Sequence, residues 1–164
     1  MAEHEAQRGR PEMPAGYGIH PGSEGMLPWS WVTERLEAAR NYWIGTTRPD
    51  GRPHLAPVWG VWFEDAFSFG TDPTSRKGRN LQKNPAMVVH LESGDDVVIL
   101  EGRAELVTDT ALAARMGEAY YAKYQVNITG PDAPPSGLYT LRLSVAQAWR
   151  EQDFPATATR WRFS

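Results

Sequence analysis

The segment whose residue types most suggest chemistry is 74–81, which reads Thr-Ser-Arg-Lys-Gly-Arg-Asn-Leu. A helix predicted over Arg76–Lys83 would carry Arg76, Lys77 and Arg79 in its first turn. Each cation there is unfavourable by roughly a few tenths of a kcal/mol, because the helix dipole is already positive at this end. A bound phosphate would reverse that effect, since backbone N–H groups, the Ser75 hydroxyl and the cations could all contact it. This segment alone does not distinguish between two interpretations, a phosphate site and a solvated basic turn.

Composition limits the classes of protein that could carry such a site. A chain of 164 residues without cysteine suits one globular domain and excludes disulfides, thiol catalysis and cysteine metal sites. Its net charge of -3 argues against a general nucleic-acid binder, which needs a basic surplus. The sequence contains neither an apolar signal region nor a run of about 18 apolar residues. We therefore expect a cytoplasmic protein that binds neither a membrane nor nucleic acid.

The elements that would position the basic segment are mostly strands. Residues 1–27 mix Pro, Gly and charge without periodicity and predict a flexible arm, which leaves one domain over 28–164. The Pro49-Asp50-Gly51 turn predicts a hairpin. Periodicity predicts helices over 30–40, 76–83 and 109–123, and strands over 41–47, 52–63, 66–71, 86–92, 98–106 and 139–149. About six strands with few helices suggest a closed antiparallel barrel.

Two stretches resemble a known family. Phe-Ser-Phe-Gly-Thr at 67–71, followed by Ser-Arg-Lys at 75–77, is similar to the strand and phosphate-binding helix of the pyridoxamine 5'-phosphate oxidase family. Residues 42–59 resemble the first hairpin of the wider flavin and deazaflavin split-barrel superfamily. The resemblance covers roughly residues 30–108 well. It implies a mainly β fold, a six- to seven-stranded antiparallel split barrel with a few flanking helices.

The resemblance also implies a cofactor site. In the family the second strand lines the flavin ring with backbone groups, the third strand contacts the cofactor near its phosphate, and the Arg-Lys pair binds the phosphate. A Trp and an Arg near the C-terminus reach the flavin across a dimer interface. The corresponding residues here are Leu55, Ala56, Pro57, Val58, Trp59, Gly60, Gly70, Thr71, Ser75, Arg76, Lys77, Asn80, Trp149 and Arg160. Core packing is the alternative for Trp149.

Two departures from the family affect the expected substrate and cofactor. The oxidases carry an Arg-Leu-His-Asp-Arg signature whose first Arg and His hold the substrate, whereas Ala156 and Ala158 occupy those places here. Pyridoxamine 5'-phosphate is therefore not the expected substrate. Val97 stands where the family has a Gln that contacts the flavin. The deazaflavin coenzyme F-420 is the alternative to FMN, because Arg79 and Lys83 could meet its acidic tail.

The expected activity is hydride transfer between the cofactor and a small unsaturated or imine-like substrate, within a homodimer that binds the cofactor at its interface. Seven Trp and six Tyr in one small barrel also favour an aromatic interface. No catalytic side chain is assigned, although Tyr120, Tyr121 or His54 could donate a proton. No histidine pair has the spacing of a metal site. The competing hypothesis is a non-catalytic flavin, deazaflavin or haem carrier, with His54 or His90 as the iron ligand.

Overall fold

The computed structural model describes residues 6–131, 133 and 136–164. Nine strands and four α-helices lie within them. In chain order they are β1 (Ala6–Gly9), α1 (Trp29–Ala38), β2 (Tyr42–Thr47), β3 (Pro53–Val58), β4 (Val61–Phe63), β5 (Ala66–Thr71), α2 (Arg76–Lys83), β6 (Ala86–His90), β7 (Asp96–Leu106), α3 (Thr110–Tyr124), β8 (Gly137–Arg150), α4 (Phe154–Thr157) and β9 (Thr159–Phe163). Two short 3-10 helices cover Ala15–Tyr17 and Glu151–Asp153.

Strand β8 organises the sheet because its neighbours change along its length. One edge pairs with β7 from Leu106↔Tyr139 to Asp96↔Arg150. The other edge pairs first with β5, over residues 137–140, and then with β9, over residues 145–148. The sheet therefore divides at β8 into two branches. This division gives the barrel its split.

Strands β6, β2 and β3 extend the β7 side of the sheet, β1 lies beyond β9, and β4 pairs with β5. The order runs β1-β9-β8-β7-β6-β2-β3, and every described pairing is antiparallel. The predicted hairpin is confirmed: Thr47 pairs with Pro53, and Gly51 closes the turn at φ 85° by donating to the Arg48 carbonyl. Among the described strands β3 pairs only with β2, so its second edge is open.

The buried apolar residues form two clusters. Helix α1 contributes Val32 and Leu36, both fully buried, to the larger one. Trp29 packs edge-on against Trp62 and Trp161. A second, smaller cluster joins β4 to α3 and consists of Val61, Met116, Tyr120, Tyr124, Ile128 and Leu138. Helix α3 is thereby fixed beside the corner between β3 and β4.

The predicted mainly antiparallel fold is confirmed, but the sheet has more strands than expected. The single strand predicted over 52–63 is interrupted at Trp59 and Gly60, which separate β3 from β4. A side chain at Gly60 would place its Cβ 2.5 Å from the Phe67 ring, so the chain bends closely over the core here. The short strands β1 and β9 pair with each other and were not predicted.

Part of segment 1–27, which the sequence predicts to be a flexible arm, is tied to the barrel. Residues 6–27 lie on the barrel, and residues 1–5 fall outside the described part of the chain. Besides the β1–β9 pairing, the Leu27 amide donates to Thr159 Oγ1 at 2.8 Å. The Arg10 guanidinium donates to four carbonyl oxygens, those of Gly22, Glu24, Ala156 and Ala158. Composition alone could not reveal partners so distant in sequence.

Replacing Arg10 with Ala should lower the free energy of unfolding by about 1.5–3 kcal/mol, because carbonyl groups lose a charged donor. Arg8→Ala is the matched control, since the Arg8 side chain on the adjoining strand β1 is exposed, and should change stability by less than about 0.5 kcal/mol. Urea denaturation of both variants measures the difference. Equal stability of the two variants would contradict the role given to Arg10.

Candidate cofactor site

The start of α2 is built as the sequence predicted. Ser75 is the N-cap, and its Oγ accepts from the Gly78 amide at 3.1 Å. Thr71 at the end of β5 places its Oγ1 3.1 Å from the same oxygen. A Cβ on Gly78 would collide with the Asp72 carbonyl oxygen, so the turn between β5 and α2 requires glycine there. These contacts fix the first turn of α2 directly after β5.

The cations in this turn have no carboxylate partner among the described residues. Arg76 and Lys77 are half-buried and form no ion pair there. The nearby Asp72 carboxylate accepts instead from the Thr74 amide and hydroxyl, both at 2.7 Å. These hydrogen bonds, together with the charge of Lys77, lower the pKa of Asp72. The first turn of α2 therefore presents two cations that form no ion pair with the described residues.

His54 adds to this positive region from β3. Burial lowers the pKa of His54, and the charges of Arg48, Lys77 and Arg76 lower it further. Its Nδ1 is buried without a hydrogen-bond partner in the described structure. A buried, unpartnered nitrogen beside three cations suits an anion or an ordered water.

A cavity of about 430 Å³ opens beside Lys77. Its walls include six of the predicted site residues: Pro57, Val58, Trp59, Gly70, Thr71 and Lys77. The rest of the wall consists of Asp72, Tyr120, Val126, Ile128 and Ser136, and of these sequence reasoning named only Tyr120. The tyrosine-rich end of α3 was the available signal for this wall. The cavity thus joins the basic turn to a largely apolar space.

The ring-lining strand predicted from the family is β3 with the two residues after it. Leu55 and Pro57 are exposed, Ala56 is half-buried and Val58 is buried, as alternation along a strand requires. Because the second edge of β3 has no strand partner in the described chain, its backbone groups are open to a ligand. Pro57 lacks an N–H and can only accept.

Asn80 is turned into the barrel. It is fully buried, its Nδ2 donates to Thr46 Oγ1 at 3.0 Å, and its Oδ1 is buried without a described partner. Thr46 pairs in register with His54. Asn80 therefore lies behind the basic turn, where it ties α2 to β2.

Trp149 and Arg160 lie far along the sheet from α2. Gly137 pairs with Thr71, and Trp149 comes twelve residues later on β8, a span of roughly 40 Å. Trp149 is half-buried and contacts Phe154 edge-on at 5.5 Å. Arg160 is ion-paired with Glu12 at 3.1 Å. One chain does not bring these two residues to the basic turn.

Two other residues singled out in the sequence lie on the outer sheet face. Val97 pairs in register with Trp149, so an apolar contact occupies the place of the family's amide. The His90 ring stacks against Trp43 at 6.4 Å, and its Nδ1 lies 2.8 Å from the Leu91 carbonyl oxygen. Within the described residues, no group of three His, Asp or Glu side chains could hold a metal ion.

A family model for pyridoxamine 5'-phosphate oxidase matches residues 32–150, from α1 to the end of β8. The chain belongs to this family. The matched region contains the basic turn, the open strand β3 and the residues that line the cavity. Membership agrees with the resemblance carried by residues 67–77.

Solved structures show the same fold. A conserved hypothetical protein from Mycobacterium tuberculosis is 20% identical, with a TM-score of 0.68 over 80% of this chain and 89% of that one. An F420 reductase is 23% identical, with a TM-score of 0.55 over 69% of this chain and 93% of that one. A heme binding protein from Mycobacterium smegmatis is 18% identical, with a TM-score of 0.61 over 80% of this chain and 62% of that one. No protein of curated function matches the sequence. At these identities the likeness establishes the split-barrel fold of the family.

Proposed function

We propose that this chain binds FMN, with its phosphate at the start of α2, and acts as a flavin-dependent oxidoreductase. The observation that carries the proposal is the pair of half-buried cations, Arg76 and Lys77, that have no carboxylate partner among the described residues. A phosphate would supply the missing negative charge. The adjoining cavity of about 430 Å³ offers space for part of a planar ring.

The residues present fit this cofactor. The Ser75 hydroxyl, the first amides of α2 and the two cations would hold the phosphate, while Gly70 and Thr71 would contact the adjoining chain. The open edge of β3 and the Trp59 and Tyr120 side chains would line the ring. Bound flavin supplies hydride-transfer chemistry, and the protein orients the substrate and limits access of water. Burial raises the pKa of Tyr120 to about 12, so its hydroxyl is a neutral hydrogen-bond donor.

We infer that the substrate is a small unsaturated or imine-like molecule other than pyridoxamine 5'-phosphate. Ala156 and Ala158 lack the charged and ring-nitrogen groups that the oxidases use to bind that substrate. Ala158 is fully buried, and both carbonyl oxygens accept hydrogen bonds from Arg10. Coenzyme F-420 is the alternative cofactor, because Arg79 and Lys83 add exposed cations to α2. The fold shared with an F420 reductase makes this alternative worth testing.

A non-catalytic flavin, deazaflavin or haem carrier is the competing proposal. The observation that favours a haem carrier is the anchoring of His90 Nδ1 near the Leu91 carbonyl, an arrangement that can orient an imidazole for metal binding. An absorption spectrum of the purified protein separates these possibilities. A flavin spectrum with substrate turnover supports the enzyme, and an intense Soret band supports the haem carrier.

The variants Arg76→Ala and Lys77→Ala should each weaken FMN binding about ten- to hundredfold, because each removes a charge-assisted contact worth about 1.5–3 kcal/mol. Lys83→Ala, in the last turn of the same helix, is the control and should bind FMN like the wild type. Titrations with FMN and with F-420, alongside urea denaturation, separate lost binding from lost folding. Unchanged affinity of both variants for both cofactors would refute the phosphate site.

We further propose a homodimer in which the partner copy completes the site. Its support is the distance of Trp149 and Arg160 from the basic turn, since the family places the corresponding residues on the cofactor. Only three of the seven tryptophans, Trp29, Trp62 and Trp161, are buried in the chain's core. Leu55 and Val88 also expose apolar area on the outer face of the sheet. Burial against a second copy would cover these groups.

Mixing two inactive variants tests this arrangement. Subunits with Arg76→Ala and subunits with Arg160→Ala, once exchanged, should regain about a quarter of the wild-type FMN sites, because half of the dimers are then mixed and each has one intact site. Each variant alone, at the same concentration, is the control. Light scattering should give about twice the 18.3 kDa chain mass. A monomer that binds FMN tightly would contradict the proposal.

A further inference from the structure

Lys123, in the last turn of α3, is a half-buried cation close behind the cavity wall. Its Nζ donates to Tyr42 Oη at 2.7 Å and to the Gly60 carbonyl oxygen at 3.1 Å. The same Nζ lies 4.7 Å from the Tyr42 ring centre and 5.2 Å from that of Tyr124. No carboxylate in the described chain forms an ion pair with it. Its charge is therefore met by neutral oxygens and aromatic faces.

These contacts converge on the Trp59–Gly60 corner, the two residues between β3 and β4. The Gly60 amide donates to Tyr124 Oη at 3.1 Å. The Tyr124 ring stacks on the Trp59 indole, with ring centres 4.7 Å apart and planes 3° apart. Helix α3, rather than a neighbouring strand, thus holds the corner.

Proton counting shows why Lys123 is needed there. Tyr124 Oη lies 2.6 Å from the Arg40 carbonyl oxygen and 2.8 Å from the Gly60 carbonyl oxygen. The hydroxyl has one proton for these two acceptors. When it donates to Arg40, the Gly60 carbonyl depends on Lys123.

We propose that Lys123 is a positioning residue that holds the Gly60 carbonyl and thereby fixes the Trp59 indole as a wall of the cavity. Trp59 and Gly60 follow directly on β3, the strand assigned to the cofactor ring. Loss of the Lys123 hydrogen bond would therefore disturb the ring site without touching the phosphate site. The effect on cofactor affinity rests on the proposed function. The effect on the Trp59–Gly60 corner does not.

The ionisation of Lys123 provides a separate signal. Burial lowers its pKa from 10.5 to about 8. The ionisable groups around it are Tyr42 on β2, Tyr120 and Tyr124 on α3, Arg40 after α1, and Glu37 on α1, whose charge acts on Tyr42. Burial raises the pKa of all three tyrosines, so they stay neutral while Lys123 titrates.

The signs of the two pH effects are opposite. Between about pH 8 and 10.5 the unfolded chain binds more protons at Lys123 than the folded chain does, so this group makes stability rise with pH. Deprotonation nevertheless weakens the hydrogen bond to the Gly60 carbonyl, because the donor loses its charge. The Trp59–Gly60 corner should therefore become less ordered over the same pH range in which Lys123 makes the free energy of unfolding rise. A purely structural lysine would not produce that combination.

The test compares Lys123→Met, Lys123→Arg and the control Arg103→Met, which removes an exposed cation on β7. The signal from the corner is the part of the tryptophan fluorescence that Trp59→Phe removes. We expect this signal to change near pH 8 in the wild type and to lack that step in Lys123→Met. The Kd for FMN should rise about tenfold in Lys123→Met, return to within about threefold in Lys123→Arg, and stay unchanged in Arg103→Met.

A pH step that persists in Lys123→Met, or wild-type FMN affinity in that variant, would overturn the proposal. If Lys123→Met does not fold, the test rests on the change in the Trp59 fluorescence signal near pH 8 in the wild type. The absence of that change overturns the proposal. A wild-type protein that binds neither FMN nor F-420 would refute the cofactor assignment. The fluorescence step would then still report whether Lys123 positions Trp59.

Discussion

Strand β8 pairs with β7 along one edge and divides its other edge between β5 and β9. Backbone groups in a sheet need partners, so this division fixes where both branches of the sheet lie. The β5 branch leads directly into α2 and the basic turn. The β9 branch carries Arg160 and receives the N-terminal strand β1. The split thus separates two groups of family site residues that a dimer would reunite.

The basic turn and the α3 side of the cavity share an electrostatic property. Arg76, Lys77 and Lys123 are half-buried cations without carboxylate partners in the described chain. Natural proteins satisfy or pair such groups unless a function needs them. At α2 an anionic ligand would complete the pairing, whereas at α3 two tyrosine rings and a carbonyl oxygen surround the charge. Stability and function therefore place different demands on the two sides of one cavity.

Local chemistry determined what could be predicted from sequence. The start of α2 and the hairpin turn at Gly51 depend on neighbouring residues, and both were predicted. The β1–β9 pairing and the Arg10 contacts with Ala156 and Ala158 join opposite ends of the chain, so they were missed. The basic turn was found from its residue types. Lys123 was missed because only the folded chain brings it to Gly60.

³¹P NMR of FMN bound to the protein tests directly whether a cofactor phosphate binds at the first turn of α2. With the wild type, the phosphate resonance should be shifted from its position in free FMN. With Arg76→Ala, at a protein concentration high enough to keep the flavin bound, the resonance should move back toward its position in free FMN. A bound resonance that is identical in the wild type and in Arg76→Ala would contradict the account.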